Sequence, residues 1–316
     1  MKEFILKRLL ALIPILFIVS LVVFLIIHMT PGDPAHVILG ETATEEQIEN
    51  LRQQLGLNKP IYEQYFSWIG GVITGDLGYS YFMKMSVSSA LLEHLGPTVS
   101  LSLLAELIAI FIGIPLGILA AKHKGSVLDQ SFMGFSLMGI SIPSFLLGLL
   151  LILFFGVQLK LLPVAGYVPL NENIGSHLKY LILPAFSLGI MQAALIARMT
   201  RSSMLDVLNT NYVKTALSKG VKQRNIVLKH ALRNAFLPIL TVIGQTFGVL
   251  ITGAAVIETV FNIPGIGQLI INSIERRDFS TIQGAILFMT LAYVMINLII
   301  DLLYGVIDPR VRLSHK

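Results

Sequence analysis

The stretch "GISI", Gly139 to Ile142, contains a serine in the Gly-x-Ser-x arrangement that can supply a nucleophile inside a membrane. Attack by Ser141 on a peptide bond would need a general base within hydrogen-bond reach. None of the apolar stretches between Tyr180 and Val306 contains a histidine, and Pro143 follows the serine closely. An intramembrane serine protease is therefore the weaker hypothesis.

Other catalytic or cofactor chemistry has even less support in the sequence. The chain has no cysteine, which excludes disulfides and thiolate metal sites. It contains no His-Glu-x-x-His motif, and the dipeptide Gly-Lys is absent, so it lacks a phosphate-binding P-loop. We expect no enzyme activity, no bound metal and no cofactor, and any energy source must be a different protein.

Polar residues inside apolar stretches form a second set of chemically interesting positions. Buried charge is costly in hydrocarbon, so such residues should face other helices or a water-filled path. Glu106 is expected either to be a hydrogen-bonded structural carboxyl or to line a path. Asp301 and Glu258 lie near the ends of apolar stretches, where a structural role is favoured. The candidate path residues are Glu106, Gln192 and Gln245.

The most basic segment lies in the middle of the chain, "YVKTALSKGVKQRNIVLKHALRNAFLP", from Tyr212 to Pro238. The pattern predicts one short helix over Thr210 to Lys219 and another over Gln223 to Phe236. Gly220 lies between them and can adopt the positive φ that ends a helix. Pro238 should begin the next apolar helix. Such a hairpin could lie on anionic lipid or dock into a groove of a partner protein.

These residues must be positioned by membrane helices. The chain is 54% hydrophobic with a mean hydropathy of +0.78, which is typical of a polytopic membrane protein. The apolar runs are continuous rather than alternating, so we expect an all-α fold of about six transmembrane helices. The predicted spans are Leu9 to His28, Val99 to Ala121, Phe132 to Val157, Tyr180 to Arg198, Pro238 to Ile257 and Ile282 to Val306.

The distribution of lysine and arginine predicts the orientation of these spans. Sixteen of the 23 basic residues lie at the two termini, in the loop with Lys122 and Lys124, and in the segment from Arg198 to Arg233. The remaining connections hold seven, and the long loop after the first span is rich in acidic residues. Both termini and the basic hairpin should therefore be cytoplasmic.

The connections on the other side carry two recognisable patterns. "EEQIENLRQQLGL" has Ile48, Leu51 and Leu55 at helical spacing, which predicts a short amphipathic helix. "FNIPGIGQLI" should break the chain and then restart a short helix near the outer surface. Within the spans, the pairs Gly113 and Gly117, and Gly244 and Gly248, have the spacing that lets helices approach closely.

Several of these stretches together resemble a known family. Lys214, Thr215, Ala216, Gly220, Leu237 and Pro238 resemble the "EAA" loop of ATP-binding cassette importers, with Lys and Thr in place of Glu and Ala and a longer interval to Leu-Pro. Both departures are similar to those of the dipeptide, oligopeptide and nickel permeases. Further stretches resemble the first membrane subunit of that family. In order along the chain they are "KRLLALIPILFIVS", "MTPGDPA", "GDLGYS", "GISIPSF", "VIETVFNIPGIGQLI", "RRDF" and "DPRVR".

The resemblance implies a type I ABC importer permease fold in a bacterial or archaeal cytoplasmic membrane. It implies an N-terminal part, residues 1–97, and a permease core, residues 98–310, with a coupling loop over residues 199–237. The expected partners are a second, homologous permease, one or two cytoplasmic ATPase subunits and an external binding protein, besides the lipid bilayer and with no nucleic acid. The residues implied for ATPase coupling are Tyr212, Lys214, Thr215, Ala216, Gly220, Leu237 and Pro238.

The resemblance also implies a transported substrate, namely short peptides. Glutathione, or nickel and other metal chelates, are the alternatives by the same mechanism. A peptide amino terminus would be attracted to Glu106 if this residue lined the path. Glu258, Pro264, Gly265 and Gly267 are the candidates for an external gate. A channel or secondary transporter is disfavoured, because it would not need a cytoplasmic coupling hairpin and because the halves show no inverted repeat.

Overall fold

The computed structural model describes residues 2–29, 33–40 and 43–307, and these residues are predominantly helical. The "DPRVR" stretch and the basic C-terminal residues lie outside the described residues. Five helices dominate the fold, and α5 and α8 are the longest, with 36 and 35 residues. The five are α1 (Lys2–Met29), α5 (Val87–Lys122), α8 (Ile174–Leu208), α11 (Leu232–Gly253) and α14 (Phe279–Ile307).

The shorter elements connect these helices. Outside the membrane-length helices the described residues form α2 (Pro34–Leu39), α3 (Glu45–Leu55), α4 (Ile61–Ile73), a hairpin of β1 (Tyr79–Ser80) and β2 (Met85–Ser86), α6 (Val127–Ser141), α7 (Ser144–Leu151), α9 (Asn211–Ser218), α10 (Gln223–Asn225), α12 (Ala255–Val260) and α13 (Ile266–Glu275). Two π-helical segments, Ile152–Gln158 and Ile226–Ala231, continue α7 and α10. The all-α fold expected from the sequence is confirmed.

Four helical stretches of the described chain are long and apolar enough to cross a membrane, and a bent pair makes a fifth. The four are Val87–Lys122, Ile174–Leu208, Gln223–Gly253 and Phe279–Ile300. The remaining predicted span, Leu9 to His28, corresponds to α1. The apolar part of this helix is Leu10–Ile26. A stretch of about 17 residues is at the lower limit for crossing the hydrocarbon of a bilayer.

The prediction of one continuous span from Phe132 to Val157 is wrong. The chain bends by 97° between α6 and the helix formed by α7 and its π-helical continuation. Pro143 causes the break, because a proline lacks the N–H for a helical hydrogen bond and drives the preceding residue to extended backbone. Ile142 accordingly has φ −86° and ψ 120°.

Close contact between α5 and α8 forms the centre of the bundle. A Cβ atom on Gly113 would lie 2.7 Å from the carbonyl oxygen of Ala193, and one on Gly117 would meet Ala197 and Thr200. The close approach predicted from the glycine spacing is thus confirmed for this pair. Gly244 and Gly248 of α11 lie against Ile300 and Tyr293 of α14 instead, so this second pair also packs within the chain.

The predicted amphipathic helix on the outer side is present as α3. Its N-terminus has a complete capping box, in which Thr44 and Gln47 bond each other's backbone. Ile48 and Leu51 are buried, but Leu55 is 37% exposed, contrary to the prediction, because it is the last residue before Gly56 turns the chain with φ +69°. Hydrogen bonds from Asn58 and then Arg52 hold the pKa of Glu49 on this helix below its ordinary value.

The short β-hairpin ties the outer segment to the start of α14. Asp278, which is buried, accepts hydrogen bonds from the hydroxyls of Ser80 and Thr281. Ser80 and Thr281 are themselves buried completely. This contact joins residues that are 198 positions apart and fixes the "RRDF" segment against the β-hairpin.

Candidate coupling hairpin and translocation groove

The basic segment does contain a helix followed by a turn at Gly220. Gly220 has φ +76°, and its N–H bonds the carbonyl oxygen of Leu217 at 2.9 Å. The N–H of Val221 bonds the carbonyl oxygen of Ala216 at 3.2 Å. These two bonds, with a left-handed residue just after the helix, define a Schellman motif. The predicted first helix and its glycine turn are confirmed.

The second arm of the hairpin differs from the prediction. It is not a separate helix, because Gln223–Gly253 runs as one continuous stretch into the membrane. Pro238 therefore lies inside α11 rather than at its start. The π-helical segment Ile226–Ala231 carries one extra residue per turn, which changes the exposed face. Leu228 is exposed, whereas Val227, Ala231 and Ala235 are buried.

Both arms are anchored to the bundle. The hydroxyl of Tyr212 donates to the carbonyl oxygen of His230 at 3.1 Å and accepts from the side-chain amide of Asn234 at 2.8 Å. Val213 is 2% exposed. Val227, Ala231 and Ala235 belong to one hydrophobic cluster with Ala121 of α5 and Met204 of α8. The hairpin is thus packed directly against three long helices, α5, α8 and α11.

The tip of the hairpin is open to solvent. Lys214, Thr215 and Gly220 are exposed, and Ala216 is half-buried. Leu217 is 53% exposed among these polar residues.

Leu237 and Pro238 lie apart from this tip. Pro238 is 15 positions after Gln223, which corresponds to about 22 Å along a helix at the usual rise. Leu237 is half-buried and Pro238 exposed. The two residues belong to the body of α11, and the structure does not bring them to the turn.

A groove lined by both polar and apolar side chains runs between α8 and α11. Gln192 is buried and Gln245 exposed, and both line a cavity of about 540 Å³. Arg198 and Ser202 add polar groups to the lining on α8, about two and three turns after Gln192. Two of the three residues predicted for a path are thus brought together.

Glu106 lies on the other side of α11, away from this groove. Its carboxyl is 5% exposed and borders a separate cavity of about 330 Å³ between α5, α11 and α14, whose other lining residues are apolar except for Gly244. The hydroxyl of Thr246, which lines the groove, is 2.9 Å from Oε1 of Glu106. Oε2 of Glu106 has no hydrogen-bond partner among the described residues.

At the end of the bundle opposite the hairpin, the structure brings Glu258, Gly265 and Gly267 together. Glu258 is completely buried and accepts hydrogen bonds from the Thr98 hydroxyl at 2.6 Å and from the Gln268 N–H at 2.9 Å. Its carboxylate therefore caps the N-terminus of α13, where a negative charge is favoured.

The two glycines are required by this arrangement. A Cβ on Gly265 would collide with the Glu258 carboxylate, and one on Gly267 with the backbone of Ala255. Pro264 borders an outer cavity with Glu93 and Tyr167. Thr98, which also accepts the N–H of Ile266 at 2.8 Å, was not predicted, since a lone threonine in an apolar run carries no distinctive signal.

Ser141 has no arrangement for nucleophilic attack. Its hydroxyl donates to the carbonyl oxygen of Leu137 at 2.8 Å, one turn earlier in α6. Among the described residues no cluster of histidine, cysteine, aspartate and glutamate side chains could hold a metal ion.

The long apolar helices, with the basic hairpin at one end and the groove beside it, are those of an integral membrane protein of the transporter class. Residues 113–313 match the model of the family described as "Binding-protein-dependent transport system inner membrane component". Residues 1–102 match the corresponding N-terminal family, "Binding-prot-dependent transport system membrane comp, N-term". The chain therefore belongs to the inner membrane permeases of binding-protein-dependent ABC transport systems, whose members work with an ATPase and a binding protein.

Curated relatives match the chain over its whole length. A probable peptide ABC transporter permease protein, y4tP, of Sinorhizobium fredii is 43% identical over 312 residues, which covers 99% of this chain and 100% of the relative. The glutathione transport system permease protein GsiC of Escherichia coli is 43% identical over 312 residues, covering 99% of each chain. The resemblance stated from the sequence motifs is confirmed, and the relatives are permeases rather than enzymes.

A solved structure supports the fold independently. An inward-facing form of the MetNI methionine ABC transporter superposes with a TM-score of 0.59 at 18% identity, covering 69% of this chain and 96% of that one. At this identity the similarity concerns the fold alone. The type I permease architecture is thereby established for the core of the chain.

Proposed function

We propose that this chain is a permease subunit that carries short peptides into the cell. The observation that carries the proposal is the full-length identity of 43% to a probable peptide permease and to a glutathione permease. Glutathione is itself a short peptide, so it is a second candidate substrate. Gln192 and Gln245 in the groove suit a peptide backbone, because amide side chains both donate and accept hydrogen bonds.

The groove between α8 and α11 is the proposed path, completed by a second, homologous permease. A groove open on one side is consistent with closure by a partner subunit. Glu106, on the opposite side of α11, would influence this path through its hydrogen bond with Thr246. The external gate is proposed at Glu258, Pro264, Gly265 and Gly267, where the chain packs without room for a single added Cβ at the two glycines.

Energy for transport would enter through the hairpin. The tip formed by Lys214, Thr215, Ala216 and Gly220 docks into a cleft of a cytoplasmic ATPase, while Tyr212 connects the tip to α11. ATP-driven closure of the ATPase pair then favours an outward-open state, since a ligand shifts a two-state equilibrium by its differential affinity. In this arrangement both termini are cytoplasmic, as the positive charges predict.

Reconstitution tests the substrate. The chain is co-expressed with its chromosomal neighbours, purified in mild detergent and placed in proteoliposomes with ATP inside. We expect a second permease and ATPase subunits to co-purify, and a binding protein loaded with a di- or tripeptide to stimulate ATP hydrolysis and uptake. Stimulation by glutathione alone would establish the second candidate. Stimulation by a nickel chelate alone, or purification of the folded chain without any ATPase, would overturn the proposal.

A further inference from the structure

Helix α4 exposes a continuous apolar face on the outer side of the protein. Tyr62, Phe66 and Ile73 are 63%, 67% and 79% exposed, and their spacing of four and seven puts them on one side of a helix. No charged residue occurs between Glu63 and Asp76. Large apolar side chains exposed side by side usually mark a surface that contacts something other than water.

The depth of α4 is set by its contacts with α1. The side-chain oxygen of Gln64 is 3.0 Å from Nε2 of His28, and the Tyr65 hydroxyl is 2.8 Å from Oγ of Ser20. Ser20 lies eight residues before His28, which is about 12 Å inward along the helix. The ring of Trp68 stacks on Phe24 with a centroid distance of 5.7 Å. These contacts hold α4 beside the outer turns of a membrane helix.

The neighbouring surface of α1 is also apolar and exposed. Phe17 and Ile26 on α1 are exposed at the same depth as the α4 contacts. The exposed face of α4 therefore continues the surface through which α1 meets lipid. Tyrosine and tryptophan, both present on α4, are the residues enriched where hydrocarbon meets the headgroups.

We propose that α4 is an interfacial helix, with the Tyr62, Phe66 and Ile73 face embedded in the outer leaflet of the bilayer. Interfacial helices lie about 5–10 Å into the boundary between headgroups and acyl chains. Bound in this way, α4 anchors the outer segment α2–α4, including the cavity that this segment forms with the start of α14, at a fixed height above the membrane.

Single spin labels test the proposal in the assembled transporter. The chain has no cysteine, so Phe66→Cys and Ile73→Cys each give one label in this subunit, and Gln53→Cys on exposed α3 is the matched control. Partner subunits are made cysteine-free, and the complex is reconstituted in phosphatidylcholine and phosphatidylglycerol vesicles. Oxygen concentrates in the bilayer and a nickel chelate in water. We expect at least a fivefold higher ratio of oxygen to nickel accessibility at positions 66 and 73 than at position 53.

Two results would overturn the proposal: nickel accessibility at positions 66 and 73 equal to that at position 53, or exclusion of both reagents, which would mean that a protein partner covers the face.

Discussion

At the scale of single residues, Gly220 connects a local conformation to the proposed mechanism. Its φ of +76° is required by the Schellman motif that ends α9, and nothing lies within 4 Å of the position a Cβ would take. The restriction at this position is therefore one of backbone conformation and not of space. A substitution here tests the turn without disturbing the packing of the membrane helices.

Gly220→Val should uncouple the transporter. A β-branched residue disfavours the left-handed conformation by roughly 1–2 kcal/mol, which lowers the equilibrium constant for the native turn about fivefold to thirtyfold. We expect normal membrane insertion and at least a fivefold loss of uptake per ATP hydrolysed, measured in proteoliposomes. Gly220→Asn is the matched control, since asparagine tolerates positive φ, and it should retain most of the uptake. Normal uptake by the valine variant would refute the coupling role of this turn.

Glu258 is a residue whose removal should cost stability. Glu258→Ala leaves the Thr98 hydroxyl and the Gln268 N–H buried without their acceptor. A buried donor without a partner costs about 1–3 kcal/mol, so the melting temperature in detergent should fall by several degrees. Glu258→Gln keeps one acceptor oxygen and should lose less than half as much. Equal melting temperatures for the alanine variant and the parent would show that the capping bonds contribute nothing.

At the scale of elements, the pairing of α5 with α8 depends on glycines that allow backbone contact. Gly117 lies where a methyl group would overlap the Ala197 carbonyl and Thr200, whereas Gly134 of α6 has no atom within 4 Å of its Cβ position. Replacing each of the two glycines by alanine therefore distinguishes the effect of crowding on stability from the effect of helix propensity. Both glycines lie inside helices, so alanine should favour the local conformation equally.

Gly117→Ala should destabilise the bundle, and Gly134→Ala should not. Overpacking of a tight contact costs about 1–3 kcal/mol, while glycine to alanine in an open helix gains about 0.5–1 kcal/mol. Thermal unfolding followed by circular dichroism in detergent is the measurement. A lower melting temperature for the Gly134 variant than for the Gly117 variant would contradict the packing of α5 on α8.

Elements of strong local character could be predicted from the sequence, and those set by tertiary contacts could not. The membrane helices, α3, α9 and the Gly220 turn follow from apolar runs, caps and glycine, which are local signals. The bend at Pro143 also has a local cause, but its 97° is determined by packing. The π-helical segment Ile226–Ala231, which exposes Leu228, left no pattern in the sequence.

The candidate site shows the same limit. Gln245 and Thr246 are neighbours in sequence but point about 100° apart on α11, so one faces the groove and the other also reaches Glu106. The sequence suggested one path for Glu106, Gln192 and Gln245 only because all three are polar. The arrangement of the helices places Glu106 on the other side of α11 from the two glutamines. The link between Tyr212 and Asn234 spans 22 positions and is equally invisible to a local pattern.

At the scale of the whole molecule, the two ends of the bundle present different surfaces. The end with the hairpin is basic and exposes Leu217, and the opposite end carries the acidic α3, the Glu258 turn and the outer cavity that includes Leu170. An ATPase should therefore bind one end only. The assignment of that end also fixes the orientation of the chain, because ATP is hydrolysed in the cytoplasm.

Leu217→Glu should weaken ATPase binding, and Leu170→Glu should not. The two leucines are similarly exposed, 53% and 55%, but lie at opposite ends of the bundle. Removing a leucine that becomes buried in an interface costs about 1.5–3 kcal/mol, which corresponds to a tenfold to hundredfold lower affinity. Pull-down of the ATPase at graded concentrations measures this loss. Weaker binding with the Leu170 variant and unchanged binding with the Leu217 variant would reverse the orientation proposed for the whole chain, because the ATPase would then lie at the end opposite the hairpin.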